Sequence, residues 1–124
     1  MKLLNDLYSI ISRTSGEGRC DFTIALNPQH FIYKAHFPGE PITPGVCIMQ
    51  IAKELLEEAV SQRLTLSCVK NIKFLRIISP SEITVLDYSL TKIVTEGDTV
   101  KVQVNVLSGE DVYAKLSLVC QKAA

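Results

Sequence analysis

The spacing of hydrophobic positions changes along the chain, and each change marks an element. Leu3, Leu4, Leu7, Tyr8, Ile10 and Ile11 recur at three- and four-residue intervals, which is the period of one helix face. They predict a short amphipathic N-terminal helix, closed by Thr14-Ser15-Gly16-Glu17-Gly18. From Cys20 to Leu26 the period becomes two. Cys20, Phe22, Ile24 and Leu26 face one way and Asp21 and Thr23 the other, as in a strand. Thr43-Pro44-Gly45 then opens a second helix that runs to about Ser61, with Thr43 as N-cap and Pro44 as its first residue. Val46, Cys47, Ile48, Met49, Ile51 and Ala52 make its first turns almost wholly apolar, so that end should be wrapped by other structure. Lys53, Glu54, Glu57 and Glu58 put charge on one side of its later turns. Four strands follow, over about Leu66–Ile78, Ile83–Val94, Thr99–Leu107 and Val112–Gln121. Ser79-Pro80-Ser81, Glu96-Gly97-Asp98 and Ser108-Gly109-Glu110-Asp111 separate them. The last two breaks are short enough for hairpins, which makes the sheet antiparallel. The pattern predicts one α+β domain over residues 1–124, with a helix packed on a curved sheet.

Composition narrows the function classes. The chain has 124 residues, 47% hydrophobic and 21% charged, a size that supports one core of modest extent. Thirteen Lys and Arg balance thirteen Asp and Glu, without the basic excess that a general nucleic-acid or anionic-membrane binder needs. No apolar run approaches the length of a membrane span. The apolar start, Met1 to Ile11, is broken by Asn5 and Asp6 and is followed by no small-residue cleavage site. A signal peptide is not expected, and the expected location is the cytoplasm. Cys20, Cys47, Cys68 and Cys120 form no Cys-x-x-Cys pair, and each lies among apolar residues. They read as four buried free thiols rather than a zinc site or a disulfide framework. No metal and no cofactor are expected.

The chemistry concentrates between Asn27 and Pro44. This long segment holds four of the five prolines and both histidines, together with Phe31, Ile32, Tyr33 and Phe37. That is too apolar for disorder, and long loops in small domains are commonly functional. Within it Pro38, Pro41 and Pro44 recur at three-residue spacing and stiffen a backbone that ends at a helix N-terminus. A stiff lead-in suits a loop that holds a side chain and a backbone N–H in fixed relation. The N–H groups of Gly45 and Val46 are then available to a developing oxyanion, aided by the helix dipole. A bare Gly45 lets a ligand approach closely.

The stretch His36-Phe37-Pro38-Gly39-Glu40-Pro41-Ile42-Thr43-Pro44-Gly45-Val46 resembles the signature of the β-hydroxyacyl-acyl-carrier-protein dehydratases, the FabA/FabZ-type hot-dog proteins. Their pattern is His-Phe-Pro-x-x-Pro-x-x-Pro-Gly-Val ahead of a central helix, and seven residues match at fixed offsets. Asn27 to Ala35, Val69 to Phe74 and Pro80-Ser81-Glu82 resemble the family more weakly, so the likeness runs over roughly the whole domain. It implies a hot-dog fold, a curved antiparallel sheet wrapped around the helix. It also implies loss of water from a 3-hydroxyacyl thioester carried by acyl carrier protein or coenzyme A. The site is then shared across a homodimer, with His from one subunit and an acid from the other. His36 falls at the base position. Gly45 and Val46 fall where the thioester is polarised, beside Phe37 as a substrate-binding residue. The family's acid position, fourteen residues after the His, holds Gln50 here.

Gln50 donates hydrogen bonds but gives up no proton, and loss of a positioned acid typically costs about 10²–10⁴ in rate. As a buried amide it is equally readable as a structural residue. Glu54, one turn on, lies on the same helix face. It reads as a replacement acid or, more plainly, as a solvated carboxylate beside Lys53, Glu57 and Glu58. His30 reads as a structural or surface residue, and Cys47 as packing. Lys34, Lys70, Lys73 and Arg76 suit an acidic carrier protein or an ordinary surface. The rival functions are acyl-thioester hydrolysis on the same fold, and an impaired acyl-binding subunit of a hetero-oligomer whose partner supplies the acid.

Overall fold

The computed structural model describes residues 2–124; Met1, the first residue of the apolar start, lies outside them. Six strands and two helices follow one another as β1 (Tyr8–Gly16), β2 (Arg19–Leu26), α1 (Ile32–Ala35), α2 (Gly45–Val60), β3 (Leu64–Phe74), β4 (Val85–Glu96), β5 (Thr99–Ser108) and β6 (Asp111–Lys122). The strands form one sheet in the order β1-β2-β4-β5-β6-β3, every pair antiparallel.

The start of the chain differs from the helix its spacing predicts. Asn5, at φ 64°, bends it, and the N–H groups of Asp6 and Leu7 both donate to Leu3 O at 3.0 and 2.8 Å. One tight turn thus stacks Leu3 near Leu7 and Tyr8, all three buried. The strand then begins, and a register shift between Ile10 and Ser12 leaves Ile11 outside the ladder, 56% exposed. A turn followed by a bulge reproduces the helical spacing.

The β1–β2, β4–β5 and β5–β6 connections are two-residue turns with Gly18, Gly97 and Gly109 near φ 60°. Such conformations match the twist of a hairpin and favour glycine. Along β2, β4, β5 and β6 burial alternates, so only one sheet face is covered. Its residues, among them Phe22, Ile24, Leu86, Val102 and Val104, share one core with Ile48, Ile51, Leu55 and Leu56 of α2. Each such buried side chain contributes about 1.5–3 kcal/mol, so sheet packing rather than intrinsic propensity holds α2. Tyr88, fully buried on β4, donates its hydroxyl to Ile48 O at 3.2 Å and fixes the helix along its length. Ser61 ends α2 in the left-handed conformation.

Two further expectations change on β3. Register shifts between Leu66 and Cys68 and between Val69 and Asn71 insert extra residues. Cys68 thereby sits exposed opposite Val119, while Cys20, Cys47 and Cys120 are buried free thiols. The strand ends at Phe74, because the N–H groups of both Leu75 and Arg76 turn to Tyr113 O, and the apolar residues as far as Ile78 belong to the following loop. No helix among the described residues is long and apolar enough to cross a membrane.

Candidate active site

The segment after β2 is more ordered than a plain loop. Asn27 accepts from Gln29 N through its side chain and from His30 N through its carbonyl, and a single helical turn, α1, follows. His30 is buried. Its Nδ1 accepts from Ile32 N at 3.1 Å, which leaves Nε2 to donate to Asp6 at 3.2 Å. Both ring nitrogens are thus used to join α1 to the N-terminal turn.

His36 caps the C-terminus of α1, its N–H donating to Ile32 O. Its carbonyl accepts from Ile42 N at 2.7 Å, and Phe37 and Glu40 exchange backbone hydrogen bonds across a turn at Gly39, φ 85°. The peptide between His36 and Phe37 is cis. Residues 36–42 therefore form a closed excursion whose ends are tied together. The His36 ring is exposed and lies edge-on to Phe37, centroids 5.6 Å apart.

Thr43 lies inside the structure rather than at the helix cap. Its hydroxyl is within 3.0 Å of the Tyr33 hydroxyl, both groups buried, and its N–H donates to Ile78 O. The N-cap is Pro44, in extended conformation, and Gly45 is the first helical residue. The expected N-cap is displaced by one residue because Tyr33 has taken the threonine side chain. By helix geometry the N–H groups of Gly45 and Val46 have no acceptor within α2. A Cβ on Gly45 would stand 2.7 Å from the tip of the Phe74 ring, so the bare position accommodates an aromatic side chain of β3. Phe37, Val46 and Phe74 are each half exposed or more. Beside Phe74 a groove of about 300 Å³ is lined by Ile42, Gly45, Ile48, Ile77 and Ile78, with Thr43 and Arg76 also in its wall. An exposed apolar groove of this kind marks a ligand or partner surface. Phe74 and the Tyr33–Thr43 pair had no place in the sequence reading of the site. Lys73-Phe74, in the stretch that resembles the family, was the available signal for the first.

One turn further along α2, Gln50 Nε2 donates to Glu54 Oε2 at 2.8 Å. Glu54 is not the solvated carboxylate its neighbours suggest. It is 3% exposed and also accepts from Leu3 N, Leu4 N and the Tyr8 hydroxyl at 2.8, 2.8 and 3.1 Å. The N-terminal turn covers it. Burial, then the charge of Glu54 and the hydrogen bond to it, push the Tyr8 hydroxyl well above the usual tyrosine range. Burial alone raises Cys47, which keeps it a thiol at the helix start, and it is the main reason Cys120 is pushed up to about 11. Gln50 and Glu54 line a second groove, of about 530 Å³. His36 lines neither groove; one chain brings Gln50 to Glu54 and leaves His36 on an exposed loop. Lys34, Lys70 and Lys73 are exposed, and Arg76 pairs with Asp111 at 3.3 Å on the surface. Among the described residues no three His, Cys, Asp or Glu side chains cluster as metal ligands do.

The ApeI-like family model, described as ApeI dehydratase, matches residues 12–115. The 3-hydroxyacyl-[acyl-carrier-protein] dehydratase FabZ of Clostridium acetobutylicum is 30% identical over 69 residues, 50% of this chain and 49% of that protein. The chain thus spans about half the length of that relative. FabZ of Levilactobacillus brevis is 30% identical over 106 residues, 80% of this chain and 69% of that protein. Among solved structures, the dehydratase heterocomplex ApeI:P from Xenorhabdus doucetiae superposes with a TM-score of 0.72 at 14% identity. That match covers 91% of this chain and 96% of the other. A hypothetical thioesterase with coenzyme A from Streptococcus pneumoniae gives 0.65 at 12% identity, covering 94% and 86%. At these identities the structures establish the hot-dog fold and nothing finer.

Proposed function

Because the chain belongs to the family of ApeI-like dehydratases, we propose that it takes a 3-hydroxyacyl thioester, borne by acyl carrier protein or coenzyme A, and removes water to give the trans-2-enoyl thioester. The observation that carries this reading is the closed loop at residues 36–42. It holds an exposed His36 at one end and leads through Thr43 and Pro44 to a glycine at a helix start. In this reading the N–H groups of Gly45 and Val46 polarise the thioester carbonyl, which acidifies the α-proton. His36 removes that proton as general base. The hydroxyl then leaves from the neighbouring carbon as water, taking up the proton that His36 removed, while the Gln50 amide hydrogen-bonds to it. Phe37 and the apolar groove beside Phe74 hold the acyl chain.

Two copies of the chain would complete the site: Gln50 lines the groove under the N-terminal turn, and His36 lines neither that groove nor the one beside Phe74. Gln50 supports a second reading. A chain with no proton donor at this position lends its His36 to a related subunit that carries the acid, and activity then appears only when both are mixed. The fold likeness to a dehydratase heterocomplex supports that arrangement. The test is incubation of the purified protein with a 3-hydroxyacyl-carrier-protein, read by mass. Loss of water is expected. Release of the acyl group without any enoyl product would instead identify a thioesterase, a class to which some fold neighbours are assigned.

A further inference from the structure

We propose that Glu54 is a positioning residue. It fixes the Gln50 amide and fastens the N-terminal turn onto α2, and so requires a hydrogen-bond donor at position 50. This rests on the reading that Gln50 faces the substrate. Each oxygen of the buried carboxylate receives two hydrogens. Leu4 N and the Tyr8 hydroxyl reach Oε1, while Leu3 N and Gln50 Nε2 reach Oε2. A carboxylate offers about four lone-pair sites, so its capacity is filled. All four partners donate here, and the backbone N–H groups of Leu3 and Leu4, one on each oxygen, can do nothing else. The same geometry thus holds Glu54 as an acceptor that orients its neighbours.

The argument extends to its neighbour. Position 50 lies one turn before Glu54 on the same face, and its head group sits 2.8 Å from Oε2. A carboxylate there would oppose acceptor to acceptor. An amide at position 54 would turn an NH₂ toward donors. Gln50 and Glu54 are therefore a matched pair, and the partner that dictates the match is the backbone of Leu3 and Leu4. The turn they belong to also walls the groove lined by Lys2, Leu4, Gln50, Lys53 and Glu57. Fastening the turn and orienting Gln50 are one event.

The experiment follows the Gln50 side-chain amide by ¹⁵N NMR in the full chain, assigned by its loss in Gln50→Ala, alongside turnover. In the wild type its protons should be shifted from free-amide values and slow to exchange. Glu54→Asp keeps the charge but draws the carboxylate back by one methylene. It should lose both properties while the fold persists, and lower kcat by about 10²-fold at nearly constant KM. Tyr8→Phe removes a donor from Oε1, not Oε2, and should keep the Gln50 signature. A freely exchanging amide in the wild type would overturn the proposal. So would equal loss of the signature in Tyr8→Phe and Glu54→Asp, which means general loosening. If the wild type dehydrates nothing while the amide behaves as described, the dehydratase reading fails and the pairing stands.

Discussion

An added methyl at Gly45 would stand 2.7 Å from the Phe74 ring, closer than packed carbons approach, so the ring must swing away. Gly45→Ala and Phe74→Ala should therefore couple, by about 0.5–3 kcal/mol in a double-mutant cycle of urea unfolding. Additive effects would mean that the ring does not hold that place. Gln50→Glu sets a second carboxyl against Glu54. Repulsion raises the pKa of the new carboxyl in the folded chain above its unfolded value of about 4.3. Its effect is then absent below that pH and destabilising as pH rises past it. The melting-temperature gap to the wild type should accordingly widen between about pH 4 and pH 7. Tyr8 and Tyr88 are both held neutral, chiefly by burial. Above about pH 10 the unfolded chain sheds phenol protons that the folded chain keeps, so stability falls. The fall should be shallower in Tyr8→Phe when urea midpoints are compared across that range. The spacing of the prolines pointed to a helix start beside Gly45, where α2 begins, while His36 as a base rests on the resemblance of the motif around it. The burial of Glu54 was not legible, because its covering donors, Leu3 N and Leu4 N, are backbone groups 51 and 50 residues away.

α1 is a single turn, and the Tyr33–Thr43 hydrogen bond ties it to the residue before the N-cap of α2. Thr43→Val leaves the buried Tyr33 hydroxyl unpaired and should cost about 1–3 kcal/mol, whereas Thr43→Val with Tyr33→Phe removes both partners and should approach the wild type. Thermal melts of the three variants check this; a double variant as damaged as the single one would show that packing, not the hydrogen bond, holds the junction. The elements with regular periods were readable: β2 and α2 stand within two residues of the bounds their patterns predict. So were β4, β5 and β6 despite their register shifts, but β1 and the end of β3 were not. The turn at Asn5 and the displaced Ile11 gave β1 the spacing of a helix, and the exposed Leu75 and Ile77 extended β3 past its end. Periodicity reports side-chain direction only while the backbone is regular.

In the whole molecule β1 and β3 are the two edges of the sheet, and unpaired edges either pair with another chain or must be protected. The shared-site reading predicts a two-fold dimer by sedimentation at micromolar concentration; a stable monomer would count against it. The hot-dog fold was legible because one motif carried it and the strand patterns agreed. The chemistry was less so, since a fold hosts several reactions and the acid position holds an amide. The most direct test runs the wild type and His36→Ala on a 3-hydroxyacyl-carrier-protein in D₂O, alone and with an acid-bearing related subunit, and reads intact mass. If His36 is the base, the wild type exchanges the α-proton for deuterium and forms enoyl product, faster with the partner, and His36→Ala does neither. Enoyl formation at the same rate in His36→Ala, or acyl release without exchange, would contradict the account.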